Sequence, residues 1–369
     1  MSLPQNNIPL SRPDHPDDPA ALLTTLREIV LSGRWTQGQY ATAFEQRVAE
    51  LCGSVYAIAT NSGTSALDTI CAVAGLGPGT QVICPSYTFV ATINAVLSVG
   101  ATPIFADIEP QTYNLDLEDT EAKLTQKTRA ILLVHQFGIP ADADAFSKFC
   151  HQRDLVLIED VACGLGSKHS EKAIGTFGLA GILSFHPRKV LSTGEGGMIL
   201  TDDENLAQKA RSFGNHGKNL EKFSQCVGHN FRMSEFQAAL GLWALDHVSE
   251  AISRRTSLAK RYEEAFRSHH GLSLILERGR TEWNLQSYPV RILEEKRDLI
   301  QETLAKEGIE TSQGPLPAHM HPYVDALMHP PRLPQTERAY EETLLLPMYA
   351  ALTYDQQDKV IESLYKALK

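Results

Sequence analysis

Seven short apolar runs, at 55–60, 81–85, 102–107, 130–135, 155–160, 181–185 and 198–201, constrain this chain more than any other feature. Each is rich in Ile, Val and Leu and apolar at consecutive rather than alternate positions. A strand of that texture is buried on both faces, as in a parallel sheet covered by helices on either side. The segments between them, such as 65–74, 89–99 and 141–153, have helical composition. The expected fold class is therefore α/β, a large domain with a mostly parallel seven-stranded sheet. Ligands of such sheets sit beyond the carboxyl ends of the strands.

From Ser234 the texture changes. Phe236, Leu240, Trp243, Val248, Ile252 and Leu258 recur at roughly helical spacing and predict one long amphipathic helix. Apolar runs at 273–276 and 287–292, followed by a helical segment near 295–307, predict a smaller α+β unit. The stretch 313–334, rich in Pro and His, reads as loop, and 354–368 as a closing helix capped by Thr353. The expected division is thus 1–245 for the large domain, opening with an N-terminal arm of prolines and aspartates, and 246–369 for a smaller C-terminal α+β domain. A chain of 369 residues is long enough for both cores.

The net charge of −10, with no dense basic run, argues against nucleic acid as a partner. An anionic small ligand needs only a local pocket and stays open. Six cysteines without CxxC spacing suggest neither a zinc site nor a disulfide framework. No apolar stretch is long enough to span a bilayer, and the first residues lack the basic and apolar regions of a signal peptide. A cytoplasmic, reducing setting is expected, with no metal and no membrane.

Chemistry concentrates in four places. In Ala-Thr-Asn-Ser-Gly-Thr-Ser-Ala-Leu (59–67), Gly63, Thr64 and Ser65 open a helix after a strand. They read either as an anion site at the positive end of a helix or simply as a capped turn. Tyr87 and Phe89 follow the next strand, as core residues or as a stacking surface for a flat heterocycle. Asp160 closes an apolar run, so its carboxylate needs a partner: a helix amide, solvent, or the protonated nitrogen of a pyridine ring. Lys189 precedes Gly194, Gly196 and Gly197, which permit a tight backbone path. An amine that forms imines must be partly neutral near pH 7, which desolvation or an adjacent cation such as that of Arg188 favours. Anion-binding turn, aromatic, strand-end carboxylate and glycine-flanked lysine occur in the order of a pyridoxal 5'-phosphate (PLP) enzyme with an aspartate-aminotransferase-like fold.

Many blocks of the chain are similar to the DegT/DnrJ/StrS family, the PLP-dependent sugar aminotransferases of fold type I. They include Ser62-Gly-Thr-Ser-Ala-Leu67, Pro85-Ser-Tyr-Thr-Phe-Val-Ala-Thr92, Asp107-Ile-Glu-Pro-Gln-Thr-Tyr-Asn-Leu-Asp116 and Val134-His-Gln-Phe-Gly138. Others are Glu159-Asp160, Ser184-Phe-His-Pro-Arg-Lys189, Gly194-Glu-Gly-Gly197, Asn215-His-Gly217, Asn230-Phe-Arg-Met-Ser-Glu235 and Pro315-Leu-Pro-Ala-His319. The resemblance implies that Lys189 carries the cofactor and shuttles the proton, that Asp160 pairs with the pyridine nitrogen, and that Phe89 stacks on the ring. It implies that Gly63, Thr64, Ser65 and Ser184 hold the phosphate. Asn230 would reach the phosphate of a neighbouring subunit, giving a homodimer with shared active sites, and His319 would line the substrate side.

Two positions depart from the family pattern. Cys163 stands where Gln or His usually meets the cofactor's phenolic oxygen, and thiol is the poorer donor. Gly314 replaces a frequent aromatic residue, which is expected to open space beside the substrate. The resemblance implies amino transfer, with L-glutamate as donor, to the ketone of a nucleotide-linked deoxysugar. A keto-cyclitol acceptor, as in aminoglycoside pathways, is the alternative within the family. A non-catalytic PLP-binding regulator is the alternative outside it, disfavoured by the intact pair of Lys189 and Asp160.

Overall fold

A computed structural model of the chain describes residues 7–218, 221–275, 281–294 and 296–369. The seven apolar runs all become strands of one sheet. These are β1 (Tyr56–Thr60), β2 (Gln81–Pro85), β3 (Thr102–Ala106), β4 (Thr128–Val134) and β5 (Val156–Asp160). After a small hairpin of β6 (Lys168–His169) and β7 (Lys172–Ala173) come β8 (Ala180–Ser184) and β9 (Gly197–Thr201). Their order is β1-β9-β8-β5-β4-β2-β3, and β9 alone runs against the rest.

β4 explains why the runs are apolar throughout. Ala130, Leu132 and Val134 face the layer that holds Ile70, Ile93 and Val96 from the helices Gly63–Val73 and Ala91–Ser98. Ile131 and Leu133 face the other way, onto Phe146 and Phe149 of the helix Ala143–Gln152. With successive side chains on opposite faces and both faces covered, no position is left for a polar residue. Polar groups can enter only at the strand ends, and the ends of β1, β4, β5 and β8 converge with the start of β9 on one edge.

The expected single helix after Ser234 is two. One spans Glu235–Leu245 and the next Val248–Phe266, with the break at Asp246 and His247, where Asp246 meets Arg47 at 2.6 Å. The amphipathic repeat continues across the break, which is why the sequence reads as one element. Beyond it, β10 (Leu272–Leu274), β12 (Tyr288–Ile292) and β13 (Thr343–Leu346) form a second, antiparallel sheet, while β11 (Thr281–Glu282) pairs with β6. The run expected at 273–276 ends in Leu276, outside the described residues, as does Glu295 at the start of the expected helix; Arg297–Lys306 is helical. Between 313 and 334, expected as loop, the structure has a single 3-10 turn, Ala318–Met320, and a short helix, Pro322–Met328. Pro322 sits at the start of that helix, where its missing N–H costs nothing. The closing helix is Tyr354–Ala367, with Thr353 in a reciprocal capping box with Gln356.

The N-terminal arm goes where local sequence gives no hint. Ile8 pairs with Ile309 and joins the core of Leu258, Tyr262, Val290 and Leu304 beside the second sheet. Asp14 meets the fully buried Arg255 at 2.6 Å, and the same guanidinium donates to the carbonyls of Leu285, Gln286 and Met348. The arm thus packs with the C-terminal elements rather than with the large sheet beside which the sequence placed it. Removing one partner of such a pair leaves an uncompensated buried charge. Asp14→Ala is therefore expected to lower the unfolding free energy by ~3–5 kcal/mol, read from urea denaturation of the full chain.

Candidate active site

A cavity of about 640 Å³ opens at the edge where the strand ends converge. The start of the helix Gly63–Val73 forms one wall. Ser62 caps it, its Oγ accepting from the Ser65 amide at 3.0 Å, and Ser62, Gly63 and Thr64 line the cavity. First-turn N–H groups have no partner within a helix and carry the positive end of its dipole, so this wall favours an anion. Ser184, ending β8, lies against it so closely that a Cβ on Gly63 would sit 2.8 Å from the Ser184 Cβ. Ser65, expected to touch the phosphate, lies one layer back. Its hydroxyl donates to Asn61 Oδ1 at 2.6 Å and lies 2.8 Å from Ser62 Oγ.

Asp160 forms the floor. Its Oδ1 accepts from the Ala162 amide at 3.0 Å and its Oδ2 from the Thr92 hydroxyl at 2.9 Å; Thr92 Oγ1 lies 2.9 Å from that of Thr88. Burial pushes this carboxyl up, and those two donors and the Lys189 ammonium pull it back. Thr92 was not singled out from sequence, since a threonine in the first turn of a helix carries no signal until the strand beside it is known.

Lys189 reaches the cavity from the turn after β8, and its Nζ donates to Cys163 Sγ at 3.0 Å. Phe89 stands at the mouth, 65% exposed, with Arg188, His186, Glu195 and His321 also lining the space. Burial and the cations of Arg188 and Lys189 lower the His186 pKa, against the pull of Glu195.

Besides Ser65, two expected positions are not brought to this cavity. His319 is held behind the wall, its Nδ1 2.7 Å from Ser86 Oγ and its ring against Phe105; His321, two residues on, lines the cavity instead. The Asn230 side chain is exposed at the surface, and only its carbonyl meets the helix start, through Asn61 Nδ2 at 3.3 Å. Gly314 lines the cavity but leaves no room of the expected kind. Its φ is +78°, and a Cβ there would point at the Tyr87 hydroxyl, 2.7 Å away, and at Phe137. The space an aromatic residue would take is filled by these two rings.

The donor set fits PLP. A carboxylate has about four acceptor sites, and Asp160, buried at the cavity floor, has two donors in the protein, so a ring N–H would supply what is lacking. The helix start with Ser62, Thr64 and Ser184 suits a phosphate, and the Lys189 amine suits an aldehyde carbon. Among the described residues no cluster of His, Cys, Asp and Glu is suited to a metal ion, and no helix is long and apolar enough to cross a membrane.

Residues 16–365 match the model of the DegT/DnrJ/EryC1/StrS aminotransferase family. The chain belongs to that family. Being a member, it is a PLP-dependent aminotransferase of fold type I. A GDP-perosamine synthase of Caulobacter vibrioides is 36% identical over 90% of this chain and 91% of its own length. The structure of DesI with its TDP-sugar product superposes with a TM-score of 0.92 at 34% identity, covering 99% of this chain and 93% of DesI. The sugar aminotransferase Spr1654 of Streptococcus pneumoniae in its PLP form, described as putative, gives 0.91 at 26% identity, covering 98% of each chain. Carboxylate, amine and helix start meet around one cavity from positions up to 127 residues apart, here Ser62 to Lys189.

The raised pKa of Asp160 has a consequence for the cofactor-free protein. A carboxyl whose folded pKa lies above its unfolded value binds more protons folded than unfolded between the two. Stability from this group is therefore present at low pH and lost as pH rises through the folded value. Chemical denaturation of the apoprotein across the acid range is expected to show that fall. Asp160→Asn, which never ionises, is expected to flatten it.

Proposed function

We propose that this aminotransferase moves an amino group from L-glutamate to the ketone carbon of a nucleotide-linked deoxysugar, with PLP seated in the cavity described above. The observation that carries the reading is that Lys189 and the buried carboxylate of Asp160 line the same cavity as the helix start at Ser62–Thr64. The cofactor, when bound, supplies an electron sink for the carbanion that amino transfer requires.

The chain's own groups do the rest. Asp160, oriented by the Ala162 amide and the Thr92 hydroxyl, holds a proton on the ring nitrogen. Gly63, Thr64 and Ser184 bind the phosphate with Ser62, while Ser65 keeps Ser62 in place from behind. Phe89 covers a ring face at the cavity mouth. Lys189 Nζ would hold the cofactor and, as a free amine, would take the proton from the donor's α-carbon and deliver it across the site. Cys163 Sγ, 3.0 Å away, offers that amine a resting contact between transfers. The glutamate carboxylates and the acceptor's diphosphate are anions, and Arg188, His186 and His321 give the cavity mouth the donors to meet them.

The acceptor class is supported by relatives named for GDP- and TDP-sugar chemistry that align with nearly the whole chain. The reading includes a cytoplasmic homodimer, in which the exposed Asn230 side chain is available to reach the phosphate of the second subunit.

Borohydride reduction and peptide mapping of the purified protein are expected to find the pyridoxyl group on Lys189. Lys189→Ala is expected to abolish amino transfer, and near-normal turnover in that variant would refute the assignment. Asp160→Asn is expected to raise the barrier by ~3 kcal/mol or more, on the scale of a lost charge-assisted contact at a reacting centre. Loading the amine form of the cofactor and screening keto-sugars and keto-cyclitols for its return to the aldehyde form tests the acceptor: recovery with cyclitols alone would replace the nucleotide sugar.

A further inference from the structure

Lys189 sits on a turn between β8 and β9, and a turn is a poor platform for a proton shuttle unless something outside it fixes the backbone. That something is Gln286, 97 residues further on and buried. Its Oε1 accepts from the Val190 amide at 2.8 Å, and its Nε2 donates to the Arg188 carbonyl. One side chain therefore spans the backbone on both sides of Lys189.

The same short segment also grips the other end of the amine's contact. Asn284 Nδ2 donates to the carbonyls of Cys163 at 2.8 Å and Leu165 at 2.9 Å, and Asn284 Oδ1 accepts from the Gln286 amide at 2.9 Å. Cys163 and Lys189, 3.0 Å apart through Sγ and Nζ, are thus each held from one tripeptide. Leu285 between the two holders is fully buried and has a φ of +56°, a conformation that a leucine adopts only when its surroundings impose it. Arg255 imposes it from the far side, donating to the Leu285 carbonyl at 2.9 Å and the Gln286 carbonyl at 3.3 Å while paired with Asp14. Strained backbone at this point lets consecutive polar side chains reach two loops that are 26 residues apart in sequence.

We propose that Gln286 is a positioning residue for amino transfer, bracketing the backbone at Lys189 so that its amine is held at the distance at which it moves the proton. The inference rests on Lys189 being the shuttle. Gln286 lines the cavity, but both polar atoms of its side chain are committed to the backbone beside Lys189, so it acts through the lysine. A displacement of about 1 Å in such a group is enough to cost ~100-fold in rate.

The test uses the holoenzyme and the variants Gln286→Leu, which keeps bulk without polar groups, and Gln286→Glu. In Gln286→Leu, kcat is expected to fall ~100-fold with the KM for glutamate within ~3-fold, the signature of a lost transition-state alignment. The isotope effect on kcat with α-deuterated glutamate is expected to rise, because proton transfer has become slower than the steps around it. The pH midpoint of the visible absorbance of resting enzyme, a readout needing no turnover, is expected to shift as the amine changes surroundings. Gln286→Glu is expected to recover activity relative to wild type as pH falls, since a protonated carboxyl can again both accept from Val190 and donate to Arg188. A merely structural glutamine predicts instead that any loss tracks the melting temperature, with isotope effect and absorbance midpoint unchanged, and that result would overturn the proposal. Wild-type enzyme yielding no reduced adduct on Lys189 would instead overturn the parent reading, so the two failures are separable.

Discussion

Two adjacent carboxylates at the end of one buried strand set the problem that this structure solves. Glu159 and Asp160 point to opposite faces of the sheet, and neither can be left bare in the interior. Glu159 is closed off completely. Its Oε1 accepts from the amides of Phe177 and Gly178 at 2.7 and 2.9 Å, and its Oε2 from the Gly175 amide at 2.8 Å and His135 Nε2 at 3.1 Å. His135 is itself fixed as the tautomer that donates there, because its Nδ1 accepts from the Ala141 amide at 3.0 Å. Asp160 receives half as many donors and faces a cavity. The fold satisfies one acid for architecture and leaves the other short for a ligand.

That asymmetry organises the surroundings. The loop that supplies three amides to Glu159 leads directly into β8, which delivers Ser184 to the anion-binding wall and Lys189 to the turn beyond. Stability and chemistry are therefore carried by neighbouring groups on the same elements, but by different side chains. Glu159 ties strand to loop, while Asp160 keeps a burial cost that its two donors offset only in part.

Much of this was legible from sequence for a physical reason. Buried strands must be apolar at every position, so their run lengths and the acids that end them stand out, as do glycines beside the lysine. Ser62 was one residue outside the expected anion site because cap and first turn cannot be told apart without the helix start. The break at Asp246 was hidden by an apolar repeat that continues through it. Gln286, Asn284 and the arm residue Asp14 were invisible for a different reason: the first two act on backbone far away along the chain, where a hydrogen bond to a carbonyl or an amide leaves no pattern in the partner's side chains, and Asp14 finds its partner Arg255 241 residues away. His319 reads as a site residue because of its motif, yet its ring is committed to Ser86.

Gly314 bears on any attempt to reshape acceptor choice. The wall at this point is a packed trio, Tyr87 set 5.8 Å from Tyr113 and edge-on to Phe137 at 6.0 Å, with the glycine's bare face pressed on the first hydroxyl. Enlarging residue 314 would drive a wedge into that aromatic stack and displace it, instead of trimming the chamber. Tuning the guest would have to begin elsewhere on the lining, at His186, Arg188 or His321.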